Sequence, residues 1–150
     1  MKLLSFVLSG MLLFGACSTH KNTVTQTSQA DESENALVGT RWKLIELYGK
    51  PVADKINDKE PFLQLLETDS LYSASGGCNG IGGTFTLAGH GRIQFSQGRA
   101  TMMACENMEV EAELTNVLTT ADNYTISGKT LSLNKARMAP LARFEAVKQP

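Results

Sequence analysis

The stretch that decides the fold lies in the middle of the chain and reads Gly76-Gly77-Cys78-Asn79-Gly80-Ile81-Gly82-Gly83. Glycine tolerates positive φ angles and lets another part of the backbone come close, so we predict a close backbone crossing here. A dinucleotide-binding loop would require a helix directly after the glycines, whereas strand-like sequence lies on both sides. A backbone nest for an anion is the remaining alternative.

Short strands are predicted around this glycine run. Their apolar residues are clustered or alternate with polar ones, and turn-forming residues separate them. The predicted strands are Trp42–Tyr48, Phe62–Leu66, Leu71–Ser75, Thr84–Leu87 and Arg92–Ser96. The turns are Thr68-Asp69-Ser70 and Ala88-Gly89-His90-Gly91, of which the second makes a hairpin.

The period of the apolar residues changes after Cys105, which predicts one α-helix. One face of this helix would carry apolar side chains at helical spacing: Val110, Leu114, Val117, Leu118 and Ala121. Acidic side chains crowd its first half, where the helix dipole favours them: Glu106, Glu109, Glu111 and Glu113. We interpret these glutamates as a solvated face.

The last third of the chain predicts three more strands. They are Tyr124–Ile126, Leu131–Leu133 and Leu141–Val147, the first two joined by a hairpin turn at Ser127-Gly128-Lys129. Ser127–Thr130 resembles half of a phosphate-binding loop, but Asn123 stands where that motif requires glycine. The predicted fold class is therefore α+β, mainly β: a small curled antiparallel sheet or partly open β-barrel with one α-helix.

The N-terminus indicates export. Lys2 precedes an apolar run that is too short for a comfortable membrane span, and Gly15-Ala16-Cys17 follows it. This ending resembles the bacterial lipoprotein box, in which the chain is cut between Ala16 and Cys17 after the thiol is acylated. An ordinary signal peptide with an incidental cysteine is the alternative.

The predicted organisation has three parts. Residues 1–16 form a lipoprotein signal peptide, residues 17–36 the lipidated Cys17 (carrying a fatty acid such as palmitate) and a disordered tether, and residues 37–150 one domain. The tether is polar and cannot bury enough apolar surface to fold; its ends would lie on the order of 25 Å apart. Ser18 resembles the signal for outer-membrane sorting, so we expect a lipid-anchored protein of the cell envelope, at the outer membrane and facing the periplasm.

The composition argues against several classes of function. The chain carries 14 Lys and Arg against 15 Asp and Glu and no basic stripe, so nucleic acid is not an expected partner. His20 and His90 have no other ligand at zinc spacing, and we predict neither a metal nor a cofactor. Met102, Met103 and Met108 could suggest a soft-metal site, but we expect core filling for whichever of Met102 and Met103 faces inward.

The cysteines other than Cys17 form an even pair, Cys78 and Cys105. In an exported protein a disulfide between them is favoured, and it would be worth about 3.5 kcal/mol in the chain-entropy model. Two buried free thiols are the alternative that the residues leave open.

Several segments together resemble the META domain family, including its HslJ-like heat-shock lipoproteins of bacterial envelopes. The resemblance spans residues 37–147 and rests mainly on Gly77-Cys78-Asn79, Gly83-Thr84-Phe85 and Thr101-Met102-Met103-Ala104-Cys105. Ala100 stands where the family often has serine. The resemblance implies a small barrel-like sheet with a helix, a structural pair of Cys78 and Cys105, and roles in envelope stress, drug tolerance or secretion. It implies no catalytic residues.

Two functions remain in competition. The first is a non-enzymatic interaction or stress-related module of the envelope, attached to the membrane through lipid on Cys17 and contacting envelope proteins. The second is a carrier or pilot-like protein that binds an acyl chain or another apolar ligand inside the curled sheet. A hydrolase is the least favoured class, because no nucleophile and base are paired in the sequence.

Overall fold

The computed structural model describes residues 37–147. The predicted signal peptide, the lipid on Cys17 and the tether lie outside these described residues and stay predictions. No helix within residues 37–147 combines the length and the apolar character that a membrane span requires.

The described residues form ten strands and one helix. The strands are β1 (Arg41–Leu47), β2 (Lys50–Pro51), β3 (Phe62–Leu65), β4 (Leu71–Ser75), β5 (Gly80–Leu87), β6 (Ile93–Phe95), β7 (Arg99–Ala100), β8 (Asn123–Ser127), β9 (Thr130–Asn134) and β10 (Ala142–Val147). The helix, α1, is Glu109–Thr120. The predicted strands and helix are all found, with ends that differ by one or two residues except at β5.

The strands form one antiparallel sheet that curls almost into a barrel. Its order is β6-β5-β4-β3-β1-β10-β9-β8, with β2 paired to β1 and β7 paired to β5. The two ends of this order meet at one seam, where a single bridge joins Arg92 to Asn123 and the Tyr124 N–H donates to the Gly91 carbonyl oxygen at 2.7 Å. The predicted fold class, mainly β with one helix on a curled sheet, is confirmed.

Apolar side chains fill the inside of the curl. The largest fully buried ones come mostly from strands around the sheet and from the helix: Leu37, Trp42, Leu44, Leu47, Leu63, Leu65, Ile93, Leu114, Leu118, Leu131, Leu133 and Phe144. Helix α1 contacts both β1 and β6, which are far apart in the strand order, so it lies across the concave side. Burying a side chain of this size stabilises the fold by about 1.5–3 kcal/mol. The predicted apolar face of the helix therefore completes the core.

The glycine run makes the close backbone crossing that the sequence predicts. A Cβ atom on Gly76 would lie 2.3 Å from the Glu111 Cα, and Gly77 has a φ of +106°. The prediction for β5 is wrong in one respect, because this strand begins at Gly80 rather than Thr84. The Tyr72 ring explains the glycine at position 83, since a Cβ there would lie 2.8 Å from Tyr72 Cε1.

Both predicted hairpin turns are present. Gly128, with a φ of +59°, lies between β8 and β9, so the Ser127–Thr130 segment is a hairpin turn rather than part of a phosphate-binding loop. His90 is exposed in the turn that joins β5 to β6, with a positive φ of 52°.

Candidate interaction site

The segment between β7 and α1 is exposed along almost its whole length and lies against the glycine run. We call residues 101–108 the methionine loop. It has no helix or strand of its own, yet every second residue is bonded to the body of the domain. These bonded residues are Thr101, Met103, Cys105 and Asn107.

The side chain of Asn79 holds the first half of the methionine loop. Its Oδ1 accepts hydrogen bonds from Thr101 Oγ1 and from the Met103 N–H, both at 2.8 Å. Its Nδ2 donates to the Met103 carbonyl oxygen at 3.1 Å and to Glu111 Oε1 at 2.9 Å. A single buried carboxamide thus fixes both backbone groups of Met103. We call Asn79, Thr101, Met103 and Glu111 the Asn79 cluster.

Glu111 supplies the acceptor on the helix side of this cluster, and here the prediction of a solvated face is wrong. Its side chain is buried, with the residue 8% exposed, and it also accepts a hydrogen bond from the Asn79 N–H. The helix can place a carboxylate there because Gly76 has no side chain to keep its backbone away. A buried carboxylate requires such donors, so Glu111 belongs to the cluster rather than to the solvent.

A disulfide fixes the middle of the methionine loop. Cys78 and Cys105 are joined, with their Cα atoms 6.0 Å apart, so the alternative of two free thiols does not hold in this structure. Lys59 Nζ donates to the Cys78 carbonyl oxygen at 3.0 Å and holds the backbone at the other end of the bond. The loop is therefore attached covalently, through Cys105, to Cys78, the residue before Asn79.

Asn57 holds the end of the methionine loop, where the helix begins. Asn57 Nδ2 donates to the Asn107 carbonyl oxygen at 2.7 Å, and Asn57 Oδ1 accepts from the Asn107 N–H at 3.2 Å. Asn107 Oδ1 in turn accepts from the Glu109 N–H at 3.1 Å, one of the helix donors without a partner inside the helix. The loop thus enters α1 from a fixed position.

The methionine loop carries three exposed methionine side chains. Met102 is 99% exposed, Met103 50% and Met108 42%. The prediction that Met102 or Met103 fills the core is wrong, because this segment is not part of the sheet. Asn79 forms hydrogen bonds with both backbone groups of Met103, and the side chain of Met103 lies at the surface. Three of the six exposed large apolar side chains within residues 37–147 lie in this one loop, and such a cluster is informative where a single exposed apolar residue is not.

A second polar cluster lies at the seam of the sheet. Asp122 Oδ1 accepts hydrogen bonds from the Ala136 N–H at 2.8 Å and from Asn123 Nδ2 at 2.7 Å, and Asn134 Nδ2 donates to Asn123 Oδ1 at 3.1 Å. The Ala136 N–H, followed by the Asn123 amide and Lys135, lowers the pKa of Asp122 to about 2. We call Asp122, Asn123, Asn134 and Ala136 the seam cluster.

An open cleft lies elsewhere, beside the turn between β1 and β2. It has a volume of about 360 Å³ and is lined in part by Tyr48, Met138, Pro140 and Arg143. Met138 is 60% exposed. Partial burial, and then the charge of Glu113, raises the pKa of Tyr48. The cleft lies on segments that carry none of the family motif residues.

The structure brings together most of the motif residues that the sequence indicated. Cys78, Asn79, Thr101, Met103 and Cys105 meet at the base of the methionine loop, and Gly77 lies against Ile56. Ala104 is exposed on the loop itself, and Gly83 lies apart, beneath Tyr72. Sequence reasoning missed the roles of Asn57 and Lys59 and the burial of Glu111. The only signal for Glu111 was the predicted close crossing at Gly76, which required another segment to be buried against this glycine.

Within residues 37–147 no three His, Cys, Asp or Glu side chains are grouped so that they could hold a metal ion. His90 is exposed in its turn, away from the Asn79 cluster in sequence and in the sheet.

The fold and the site together define a class: a small antiparallel barrel-like domain that holds an exposed loop by a disulfide and a buried asparagine. The META domain model matches residues 35–148, and the chain belongs to the META domain family. No curated protein matches the chain.

Two solved structures share the fold. The NMR structure of a protein from Burkholderia xenovorans is 22% identical with a TM-score of 0.60, over 77% of this chain and 86% of that one. Another NMR structure is 21% identical with a TM-score of 0.58, over 74% of this chain and 92% of that one.

Proposed function

We propose that this META-domain protein is an exported, lipid-anchored module that binds another protein through the methionine loop, without catalysing a reaction. The observation that carries the proposal is that Thr101 and Met103 are both hydrogen-bonded to Asn79, whereas the side chain of Met102 between them is exposed almost completely. A loop whose backbone is already held in place loses little backbone entropy on binding, and methionine adapts to apolar surfaces.

Export is supported by two independent parts of the chain. The Cys78–Cys105 disulfide fits an oxidising compartment such as the periplasm. The sequence Gly15-Ala16-Cys17 after a short apolar run fits a lipoprotein signal. The polar residues 18–36 would then hold the domain at a distance from the membrane.

The carrier alternative has weaker support. In that alternative an acyl chain would occupy the inside of the curled sheet, but Trp42, Phe144 and the leucines around them already fill this space. A ligand there would have to displace side chains that pack at the density of a protein interior. The open clefts on the surface expose too much of a bound chain to replace that interior.

The anchor is tested by expressing the full chain and its Cys17→Ala variant in a bacterium that is fed labelled palmitate. We expect label and membrane association for the wild type, and neither for the variant. Recovery of the wild-type chain from the cytosol, unlabelled and with residues 1–16 still attached, would contradict the proposal.

The binding surface is tested by placing a photo-crosslinking amino acid at position 102 in intact cells, with position 138 as the matched control. Met102 and Met138 are both exposed methionines, but only Met102 lies on the methionine loop. We expect a discrete crosslinked product from position 102 and none from position 138. Equal products from both positions, or none from position 102, would argue against the loop as the contact surface.

A further inference from the structure

The methionine loop presents one peptide bond, that between Met102 and Met103, with the residues on both sides fixed. Before the bond, Thr101 Oγ1 donates to Asn79 Oδ1, and the Thr101 N–H donates to the Gly80 carbonyl oxygen at 3.2 Å. After the bond, both backbone groups of Met103 are bonded to the Asn79 side chain. The carbonyl carbon of Met102 therefore lies in an exposed segment that cannot easily change its conformation.

The chain on either side of this bond is suited to a partner that binds extended peptides. Strand β7 (Arg99–Ala100) pairs with β5 along one edge, and no other strand of residues 37–147 pairs with it. Such an edge can add to the sheet of a partner through main-chain hydrogen bonds. Cys105, three residues after Met102, is held by the disulfide, so the segment is fixed at both ends.

We propose that the methionine loop is an inhibitory loop for serine proteases whose specificity pocket is apolar, with Met102 as the side chain that enters that pocket. The inference rests on the proposed function and names the partner class for the same surface. Serine proteases bind their substrates through one such side chain, and the pocket decides which residue they accept. Protease–inhibitor complexes are tight because the inhibitor backbone is already in its bound form.

The anchors explain why such a loop inhibits instead of being consumed. Attack of the protease serine on the Met102 carbonyl carbon breaks the bond to the Met103 nitrogen, and this nitrogen takes the proton that the protease histidine had accepted from the serine. The new Met103 amine stays in place because Asn79 and the disulfide hold its side of the loop. It can attack the acyl carbon again, which returns the proton and restores the peptide bond before water enters.

The first experiment measures inhibition constants of the purified full chain against chymotrypsin-like, elastase-like and trypsin-like enzymes with small chromogenic substrates. We expect stoichiometric inhibition of an enzyme with an apolar pocket. The Met102→Asp variant should weaken this inhibition by about 100-fold or more, whereas Met138→Asp, the matched control, should leave it unchanged. Met102→Arg should shift the preference towards the trypsin-like enzyme by about 100-fold.

The second experiment follows the Met102–Met103 bond by mass spectrometry during long incubation with the protease. We expect the wild type to reach a constant mixture of intact chain and chain cut at this one bond, with the two pieces still joined by the disulfide. In Asn79→Ala the cut form should accumulate and inhibition should fade with time. Thr101→Val removes the hydrogen bond from Thr101 Oγ1 to Asn79 and the one that Thr101 Oγ1 accepts from the Gly80 N–H. It leaves the bonds between Asn79 and Met103 in place, so it should give the same change more weakly and disturb folding less than Asn79→Ala.

The inference is overturned if the folded chain, with its disulfide intact, inhibits no serine protease with an apolar pocket at micromolar concentration. Rapid cleavage at Met102–Met103 without inhibition overturns it as well, because the loop would then be an ordinary substrate. The proposed function fails separately: crosslinking from position 102 to a partner that is not a protease would keep the binding surface and reject the protease.

Discussion

The Asn79 cluster and the seam cluster use the same chemistry for different tasks. In both, side-chain oxygens accept hydrogen bonds from backbone N–H groups of a segment without regular structure: Met103 in one cluster and Ala136 in the other. The seam cluster is held by hydrogen bonds and the ion pair of Asp122 with Lys135, and it closes the sheet. In the Asn79 cluster the side chains of Asn79 and Glu111 are buried, a disulfide lies beside them, and the segment that they hold is an exposed loop.

The two clusters differ in what they hold in place: the seam cluster holds the two ends of the sheet together, and the Asn79 cluster holds the methionine loop. The seam is needed for the barrel-like shape, so its polar bonds have a structural purpose. At the tip of the methionine loop, Met102 is almost completely exposed, so its side chain adds little to the core. A disulfide, two asparagines and a buried glutamate hold this loop in one shape, which supports the proposal that the loop binds a partner.

The largest effect should come from removing the Cys78–Cys105 disulfide, which lies beside the Asn79 cluster and has no counterpart in the seam cluster. In the Cys78→Ala/Cys105→Ala variant we expect the free energy of unfolding to fall by about 3.5 kcal/mol, as the chain-entropy model gives for a loop of this length. Chemical denaturation of the purified chain measures it. Wild-type protein under reducing conditions is the control and should behave like the variant; a reductant without any effect would contradict the prediction.

The next largest effect compares one buried asparagine from each cluster, Asn79 and Asn134. Asn79→Ala leaves Glu111 Oε1, Thr101 Oγ1 and the backbone groups of Met103 without their partner, so we expect a loss of about 3 kcal/mol in unfolding free energy. Asn134→Ala, the matched variant at the seam, removes one hydrogen bond to Asn123 and should cost about 1 kcal/mol. Equal losses in urea denaturation would show that the two clusters do not differ as described.

The sequence predicted the seam side of the molecule better than the loop side. The strands that meet at the seam follow from alternating apolar residues and from the turn at Gly128, which are local signals. The burial of Glu111 depends on the distant Gly76, and the exposure of Met102 depends on Asn79, 23 residues away in the printed sequence. Local periodicity assigns a glutamate to solvent and a methionine to the core. It contains no information about contacts between residues that are far apart in the sequence.

A smaller effect concerns pH and tests the seam cluster alone. Since the pKa of Asp122 is lowered to about 2 in the folded chain, against about 3.9 in an unfolded chain, its charged form stabilises the fold at neutral pH. This stabilisation is present above pH 4 and is lost as the pH falls towards 2. The Asp122→Asn variant should therefore be less stable than wild type at neutral pH, with the difference shrinking between pH 4 and pH 2.

The matched control for this pH effect is Lys135→Met. It removes the charge partner of Asp122 but leaves the hydrogen bonds from Ala136 and Asn123, which lower the pKa most. Thermal unfolding of the three proteins across this pH range should show the wild-type pH dependence in Lys135→Met and a flatter profile in Asp122→Asn. A profile in Asp122→Asn that is as steep as that of the wild type would contradict the role of this carboxylate.

The smallest effect is expected at the tip of the methionine loop, and it separates binding from stability. Met102 is exposed and its side chain contacts little of the domain, so Met102→Asp should change the unfolding free energy by no more than about 0.5 kcal/mol. Phe144→Ala, in the filled interior, should cost about 3–5 kcal/mol by comparison. A Met102 variant that loses partner binding at full stability would show that the anchors below it serve the display of this side chain, whereas a clear loss of stability would place Met102 in the structural framework.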